Sequence, residues 1–418
     1  MNDHLESTAQ TDEAGHVVFH TAAESGHDPT AGHQLRVDKR ASDAQHRQLQ
    51  PLDRLAKVYV EPTNHCNLEC RTCIRHGWDE PLGQMNEATF ARIMDGLRAF
   101  SPPPTVFFGG FGEPLAHQGI VGMVAQAKAL GGPVELITNG TLLTRDVSEQ
   151  LIAARLDLLW VSLDGATPES YTDVRLGAAL PQVLANLAAF RDAQAAVPNR
   201  TAPQIGIAFV MMKRNLGDLP AVLRLGERLG ASRFVVSNVL PFTKAMCEEA
   251  LYPRVLTRRL YSSSDPPLNV SALDGDQITF ESRRDVMRGG LRISLAGRDL
   301  ADARDCCPFI ERGAMAIAWD GSVSPCLPLL HSHVSYLGGQ DRISRRYVVG
   351  QVTERDLRDL WTAPEYVAFR RRVQGFEFSP CTGCGGCNLS EANQEDCYDN
   401  PFPTCGGCLW AQGMIHCP

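Results

Sequence analysis

The sequence predicts an α/β fold built on a parallel sheet, followed by a cysteine-rich C-terminal region. Between Lys57 and Pro241, six short apolar runs of strand type alternate with longer stretches that are apolar at helical spacing. Such alternation is typical of βα units, in which right-handed crossovers place the helices outside a parallel sheet. Six units are too few to close an eight-stranded barrel. Ten of the fourteen cysteines follow residue 305, which sets the end of the chain apart.

Each predicted strand is short and apolar, and each predicted helix carries its apolar residues at helical spacing. The strand runs are Lys57–Glu61, Thr105–Phe108, Val134–Thr138, Leu158–Leu163, Gln204–Met211 and Arg233–Val239. The helical stretches include Glu87–Phe100, Leu180–Ala196 and Leu216–Leu229. Because ligands of such sheets gather at the carboxyl ends of the strands, the residues after each strand are the candidate site residues.

The composition is that of an ordinary globular protein, with 44% apolar and 21% charged residues in a chain of 418. This length suits about two to three domains. The formal net charge of −8 disfavours a nucleic-acid substrate, because no global basic field attracts phosphate groups. No apolar run approaches the roughly 18 residues of a membrane helix, and no secretory signal pattern is present. The fourteen cysteines therefore indicate metal or redox chemistry in a reducing cytoplasm.

We predict four segments along the chain. Residues 1–50 are polar and aperiodic and hold six of the twelve histidines. Their irregular spacing favours a disordered or weakly ordered arm over a metal-binding tail. Residues 51–245 hold the six βα units, and residues 246–305 form a connecting segment rich in turn residues. Residues 306–418 form the cysteine-rich domain.

Three cysteines follow the first predicted strand at the spacing Cys66-x3-Cys70-x2-Cys73. A loop leaving the end of a strand can place three thiolates around one face of an iron–sulfur cube. A cube held only by protein needs four ligands, so this loop would leave one iron open for another molecule. Zinc sites, disulfides and redox pairs use CxxC units, and none of them explains the third cysteine here.

Glycine-rich and polar segments follow the next three predicted strands. The second strand leads into Gly109-Gly110-Phe111-Gly112-Glu113, where glycines allow close backbone approach and a carboxylate can accept hydrogen bonds from an ammonium group. Each segment alone is weak evidence for a ligand site, since such residues are common at strand ends. Their order along the chain makes the set stronger evidence. The third strand leads into Thr138-Asn139-Gly140-Thr141, and the fourth into Ser162, Asp164 and then Arg175, whose guanidinium can pair with a carboxylate.

The three-cysteine loop and these strand-end segments together resemble the radical S-adenosylmethionine (SAM) superfamily. The resemblance covers residues 57–418 and implies a partial (β/α)6 barrel. It implies that Cys66, Cys70 and Cys73 hold a [4Fe–4S] cluster whose open iron is chelated by the amine and carboxylate of SAM. It further implies contacts to SAM from Gly110, Gly112 and Glu113 at the amino group, from Asn139 near the ribose, and from Ser162, Asp164 and Arg175 near the carboxylate.

One position departs from the family. The residue before the third cysteine is often aromatic there and packs near the adenine, whereas this chain has Thr72. We therefore expect the adenine contact to come from elsewhere. Trp78 and Phe111 are candidates, and ordinary packing is the alternative role of both rings.

The C-terminal region opens with Cys307, Gly321 and Cys326 at C-x13-G-x4-C spacing. The stretch Ala314–Trp319 alternates as a strand and precedes an Asp-Gly turn, which predicts a hairpin that returns Cys326 to Cys307. The neighbouring Cys306 is an alternative to Cys307. This opening resembles the SPASM domain, an auxiliary-cluster module of radical SAM enzymes that modify peptides and proteins.

Seven further cysteines complete the set of candidate metal ligands. With the first two they number nine, one more than two fully ligated [4Fe–4S] clusters need. Their spacing differs from the usual SPASM run, so the division between the clusters stays open. Zinc is the alternative, since CxxC pairs also hold zinc, but beside a radical SAM barrel two auxiliary iron–sulfur clusters are favoured. The seven are Cys381, Cys384, Cys387, Cys397, Cys405, Cys408 and Cys417.

The resemblance implies an enzyme. Reductive cleavage of SAM would give a 5′-deoxyadenosyl radical that abstracts hydrogen from a protein, peptide or cofactor substrate, with electrons from a low-potential donor such as ferredoxin or flavodoxin. The last forty residues, which end in Cys405-Gly-Gly-Cys-Leu-Trp-Ala-Gln-Gly-Met-Ile-His-Cys417-Pro, look like those of the radical SAM maturases associated with tungsten cofactor oxidoreductases of the aldehyde:ferredoxin type.

Three other functions remain open from the sequence. Within the enzyme class, the chain could be a maturase that crosslinks a ribosomally made peptide. In a second class it would be a non-catalytic carrier or scaffold for iron–sulfur clusters, although the complete set of SAM-contact residues argues against that. A zinc-bound interaction module is the third.

Overall fold

The computed structural model describes residues 54–197, 203–253, 306–383 and 387–418, together with the backbone of short strands at 9–11, 17–19 and 292–295. The chain divides into two compact units, residues 1–48 and residues 49–418. In the first unit, β1 (Ala9–Thr11) and β2 (Val17–Phe19) pair antiparallel. The remainder of the predicted N-terminal arm, and most of the predicted connecting segment, lies outside the described residues.

Six parallel strands form the centre of the second unit and follow one another in chain order. The six predicted strand runs are confirmed, with ends that shift by at most two residues. The strands are β3 (Lys57–Val60), β4 (Thr105–Phe108), β5 (Val134–Thr138), β6 (Leu158–Ser162), β7 (Gln204–Met211) and β8 (Ala231–Asn238).

Helices connect these strands as βα units require. Side chains cap several of them: Asn86 accepts from the Thr89 N–H at the start of the first helix, and Thr144 accepts from the Val147 N–H at the start of the third. The helices are α1 (Glu87–Leu97), α2 (Ile120–Lys128), α3 (Arg145–Ala153), α4 (Pro168–Val174), α5 (Leu180–Ala195) and α6 (Leu219–Arg228).

The sheet extends beyond the six predicted strands at both edges. On one side, β9 (Arg292–Leu295) pairs parallel with β8. On the other side, β10 (Ala314–Ile317) pairs parallel with β3, and β11 (Ser322–Ser324) pairs antiparallel with β10 as the predicted hairpin requires. The short strand β14 (Gly350–Gln351) completes this edge. The cysteine-rich region therefore continues the sheet of the α/β part.

The remaining elements of the C-terminal region pack around this edge. A second hairpin consists of β12 (His333–Leu337) and β13 (Gln340–Ser344). The helices are α7 (Pro308–Glu311), α8 (Leu357–Thr362) and α9 (Pro364–Gly375). The residues after α9 that are described contain short 3-10 turns and loops, which carry most of the remaining cysteines.

Strand register separates the two faces of the sheet. Side chains alternate between faces along a strand, and Ile207 and Phe234, on one face, pack against Gly226 of α6. Lys57 and Tyr59 of β3 point to the opposite, inner face, where Lys57 Nζ lies 3.0 Å from a carboxylate oxygen of Glu135. Lys57 and Tyr59 are therefore directed away from the face of the sheet that α6 covers.

The last five residues lie along the inner face. The carbonyl oxygen of Met414 accepts a hydrogen bond from the Asn238 N–H, and the His416 N–H donates to Ser237 Oγ at 2.9 Å. The carbonyl oxygen of Pro418 accepts from Lys57 and Tyr59 at 3.1 and 2.9 Å. This segment thus connects the end of β8 with β3.

The helices in the described ranges are all too short or too polar to cross a bilayer.

Candidate active site

The three cysteines Cys66, Cys70 and Cys73 lie together on the loop that follows β3. Each thiol interacts electrostatically with the other two, and the Cys73 N–H donates to the Cys70 carbonyl at 3.0 Å. Burial raises the pKa of the Cys66 and Cys70 thiols. The structure therefore places the three cysteines of the CxxxCxxC motif close together on one loop.

Side-chain donors approach these sulfurs, one to each. Such donors stabilise thiolates, which are the form of cysteine that ligates an iron–sulfur cluster. The site therefore fits a [4Fe–4S] cluster held by three protein ligands. The donor pairs are Arg75 Nε with Cys73 at 3.3 Å, Arg175 Nη1 with Cys70 at 3.9 Å, and Asn139 Nδ2 with Cys66 at 3.9 Å.

The glycine-rich segment after β4 packs directly against the cysteine loop. A Cβ on Gly112 would lie 2.2 Å from the carbonyl oxygen of Thr63 and 2.6 Å from that of His65. The Glu113 N–H donates to the same His65 carbonyl at 2.8 Å. Glycine is required at position 112 because no side chain fits between these two backbone segments.

Glu113 is buried and joins the ends of β4 and β5. One carboxylate oxygen accepts from Thr138 Oγ1 at 2.7 Å and the other accepts from the Asn139 N–H at 2.7 Å. Burial outweighs these hydrogen bonds and raises the pKa of Glu113. The predicted SAM contacts Glu113 and Asn139 thus lie together. Asn139 Nδ2 also donates a hydrogen bond to Oδ1 of Asn67, in the cysteine loop, at 3.0 Å.

Arg175 and Asp164 form a buried ion pair beside Cys70. Arg175 Nη2 lies 2.7 Å from Asp164 Oδ2, while Asp164 Oδ1 accepts from the Val210 N–H at 2.7 Å. Although burial opposes the charge, Asp164 holds the pKa of Arg175 above its usual range. Ser162 is half-buried at the end of β6, two residues before Asp164.

Four cysteines of the C-terminal region form a second thiol group. Every pair among Cys307, Cys326, Cys405 and Cys408 interacts electrostatically. Burial raises the pKa of Cys307 to about 12 and the pKa of Cys326 and Cys405 well above the ordinary value. In the described ranges, no three His, Cys, Asp or Glu side chains are close enough for a single metal ion. A cube binds each sulfur to a different iron, so its ligands stand further apart.

Among the other predicted metal ligands, Cys417 also interacts electrostatically with Cys408. Cys417 accepts a hydrogen bond from Trp410 Nε1 at 3.3 Å and faces Lys57. Cys381 Sγ is 3.0 Å from Ser379 Oγ, Cys387 is half-buried and Cys397 is exposed. Cys384 lies outside the described residues. Cys306 is buried and interacts electrostatically with Cys307.

Two residues near the site were missed by the sequence analysis. Glu61 follows β3 and contacts the glycine-rich segment, and His331 from the C-terminal region pairs with it at 2.8 Å. The alternation of Lys57, Tyr59 and Glu61 in the first strand run could have indicated Glu61 as an inward-facing residue. No sequence pattern marks His331.

Comparison with known proteins identifies the class. Residues 60–223 match the radical SAM superfamily, and residues 306–388 match SPASM, an iron–sulfur cluster-binding domain. The chain belongs to the radical SAM superfamily and carries a SPASM domain. It is an enzyme that binds a [4Fe–4S] cluster with SAM in the first domain and auxiliary iron–sulfur clusters in the second.

Its relatives include the tungsten-containing aldehyde ferredoxin oxidoreductase cofactor-modifying protein of Pyrococcus furiosus. The two chains are 31% identical over 368 residues, which cover 86% of this chain and 96% of the relative. The AdoMet-dependent heme synthase of Methanosarcina barkeri is 24% identical, covering 82% of this chain and 94% of that one.

Solved structures share the fold at lower identity. Streptococcus suis SuiB bound to S-adenosylmethionine matches with a TM-score of 0.54 at 18% identity, covering 82% of this chain and 73% of that one. Native anSMEcpe with bound AdoMet matches with a TM-score of 0.54 at 16% identity, covering 80% and 88% of the two chains. These likenesses agree with the predicted radical SAM barrel and SPASM region.

Proposed function

We propose that this radical SAM enzyme modifies the tungsten cofactor, or the protein that carries it, during maturation of an aldehyde ferredoxin oxidoreductase. One observation carries the proposal: the identity of 31% to a cofactor-modifying protein of such a system extends over 96% of that relative. The similarity therefore covers both the SAM-binding part and the cysteine-rich part. A shared barrel alone would cover only the SAM-binding part.

In this proposal, Cys66, Cys70 and Cys73 hold the cluster that binds SAM. When bound, the cluster supplies the electron for reductive cleavage of SAM. Arg75 and Arg175 lie against these sulfurs and offset the negative charge of three thiolates. The amino and ribose end of SAM would be held by Gly110, Gly112, Glu113 and Asn139, and its carboxylate end by Ser162, Asp164 and Arg175.

The four-thiol group supports a division of the auxiliary ligands. We assign one auxiliary [4Fe–4S] cluster to Cys307, Cys326, Cys405 and Cys408, because each of these thiols interacts with the other three. Four thiolates complete a cube without an open iron. The second auxiliary cluster then draws its ligands from Cys381, Cys384, Cys387, Cys397 and Cys417.

The reaction needs a reductant, and we assign that role to a low-potential donor such as ferredoxin or flavodoxin. The thirteen cysteines that the structure describes form no disulfide with one another. We also infer a cytoplasmic location, because a reducing compartment keeps thiols available as metal ligands.

The test is to express the tungsten oxidoreductase of the same organism with and without this chain. The proposal predicts tungsten-cofactor occupancy and aldehyde oxidation only in its presence. A chain with Cys66, Cys70 and Cys73 replaced by Ala is the matched control, because it keeps the C-terminal ligands and should fail to support maturation. Equal occupancy and equal activity with and without the chain would refute the maturase role.

A second candidate is modification of a ribosomally made peptide. It is favoured by the likeness to PqqA peptide cyclase of Granulibacter bethesdensis, at 24% identity over 84% of this chain. A short cysteine-rich reading frame beside the gene would supply the peptide. Coexpression of that peptide with this chain, followed by mass spectrometry, distinguishes the two candidates, since the peptide would change mass only under the second.

A further inference from the structure

Glu61 is a fully buried carboxylate that touches the glycine-rich segment of the site. Its Oε1 accepts a hydrogen bond from the Phe111 N–H at 3.0 Å. A Cβ on Gly110 would lie 2.7 Å from Glu61 Oε1, so the backbone of Gly110 packs directly on this side chain. Glu61 therefore sets the position of the segment from Gly110 to Phe111. A buried carboxylate needs further partners to compensate for lost hydration.

His331 supplies that partner from the other end of the chain. Its Nε2 lies 2.8 Å from Glu61 Oε2, across 270 residues of sequence. Its side chain is 2% exposed, and Nδ1, without a hydrogen-bond partner, lies 3.8 Å from Glu80 Oε2. In the tautomer with its proton on Nε2, His331 donates this hydrogen bond to Glu61.

Two aromatic rings hold the imidazole in place. Trp78 and Phe111 meet the His331 ring edge to face, with centroids 4.7 and 5.9 Å away. Phe111 is thus linked twice, through its N–H to Glu61 and through its ring to His331. An ordinary core histidine would be packed without this second link. Both rings that the sequence suggested for the adenine contact pack against His331.

The backbone around His331 connects it to the four-thiol group. His331 follows Cys326 by five residues, and the residues between them, Leu327 to Leu330, are buried. The Ser332 N–H donates to Glu80 Oε1 at 2.8 Å, and His333 Nδ1 is 3.1 Å from the His331 carbonyl. A residue of the auxiliary-cluster region is therefore fixed against the segment that the proposed function assigns to SAM.

We propose that His331 is a positioning residue for SAM binding, acting through Glu61 on the segment Gly110–Glu113. It holds the Glu61 side chain in the orientation that accepts from the Phe111 N–H and packs against the Gly110 backbone. The SPASM region would then contribute to SAM affinity without touching SAM. The proposal rests on the SAM site assigned above.

A matched pair of substitutions tests this role in the cluster-loaded enzyme. His331→Gln places an amide N–H near the position of Nε2 and can still donate to Glu61. His331→Asn places its amide near Nδ1, too short to reach Glu61. His333→Asn is the control, because it removes a neighbouring buried histidine that does not contact Glu61 and keeps a donor for the His331 carbonyl.

The primary measurement is the Kd for SAM of the oxidised enzyme, which cannot cleave it, by equilibrium dialysis. His331→Asn should raise the Kd about tenfold, the effect of leaving a buried charged group without its hydrogen bond. His331→Gln and His333→Asn should stay within about threefold of wild type, since the Glu61 contact is kept. The change that SAM causes in the electron paramagnetic resonance spectrum of the reduced enzyme should likewise weaken only in His331→Asn.

Wild-type affinity in His331→Asn would overturn the proposal, as would equal losses in the Gln and Asn variants. If His331→Asn binds less iron than the wild type, the Kd for SAM is measured in Phe111→Leu as a second test. This variant keeps the Phe111 N–H but removes the ring contact to His331. A wild-type Kd there would also count against the proposal. If the wild type itself binds no SAM, the proposed function is wrong, and this inference falls with it.

Discussion

Arg175 and Asp164 are joined by a 2.7 Å contact while Asp164 is fully buried and Arg175 nearly so. Asp164 stands two residues beyond β6 and Arg175 ends α4, so the pair fixes the strand and the helix together beside Cys70. Arg175 serves two anions, the Asp164 carboxylate and the Cys70 sulfur. The pair is therefore a structural support for the cluster loop as well as part of the candidate SAM site.

We predict that Arg175→Met destabilises the protein by roughly 3–5 kcal/mol, because it leaves Asp164 buried without its counter-ion. Urea unfolding of the iron-loaded protein measures the change. In the double variant that adds Asp164→Asn, much of the lost stability should return, since no buried charge remains. Additive losses in the double variant would show that the ion pair is not the source of the effect.

We predict that Gly112→Ala lowers both iron loading and SAM affinity. Its Cβ would lie 2.2 and 2.6 Å from two carbonyl oxygens of the segment that leads into Cys66, so this segment must shift. Gly122→Ala in α2 is the control, because nothing lies within 4 Å of a Cβ there. Iron content and SAM binding of both variants can be measured side by side. Normal values in Gly112→Ala would contradict the close packing of the two loops.

We predict that Cys326→Ser and Cys405→Ser each remove the same auxiliary cluster, lowering iron by about four atoms from roughly twelve per chain. Because both thiols belong to one group, the double variant should lose no more iron than either single variant. Cys247→Ser, outside the four-thiol group, should keep full iron content. A loss of about eight irons in the double variant would place the two cysteines on different clusters.

We predict that His333 makes the protein less stable in mild acid. Burial lowers the pKa of His333 to about 4, whereas an unfolded histidine has a pKa of about 6.5. Between these values the unfolded chain binds a proton that the folded chain does not, so stability falls as the pH drops below 6.5 and levels off below 4. The loss at pH 5 is about 2 kcal/mol by linkage.

The measurement compares urea midpoints of wild type and His333→Asn at pH 7 and pH 5. Asn keeps a donor for the His331 carbonyl but does not titrate, so its midpoint should change less with pH. Equal pH dependence in both proteins would show that other groups control acid stability.

The sequence predicted the central strands and their helices because their apolar periodicity is local. The cysteine loop and strand-end residues could also be found, since parallel strands bring their carboxyl ends to one edge of the sheet. The hairpin of β10 and β11 was predicted, but its place beside β3 was not, because that pairing joins residues about 260 positions apart. Periodicity carries no information on such pairings.

Contacts between side chains far apart in the sequence could not be predicted either. The contact between Glu61 and His331 depends on how β10 and β11 dock against β3, and neither residue stands in a motif. The grouping of Cys307 and Cys326 with Cys405 and Cys408 needed the path of the chain after α9. Spacing gave nine candidate ligands, and the fold brings four of them into one interacting group.

The most direct test of the account is SAM cleavage by the variant in which Cys66, Cys70 and Cys73 are all replaced by Ala. The protein is loaded with iron anaerobically, reduced with dithionite and given SAM, and 5′-deoxyadenosine is measured by chromatography. If Cys66, Cys70 and Cys73 hold the SAM-binding cluster, no 5′-deoxyadenosine forms while about eight irons remain on the auxiliary ligands. Production of 5′-deoxyadenosine at the wild-type rate would contradict this assignment.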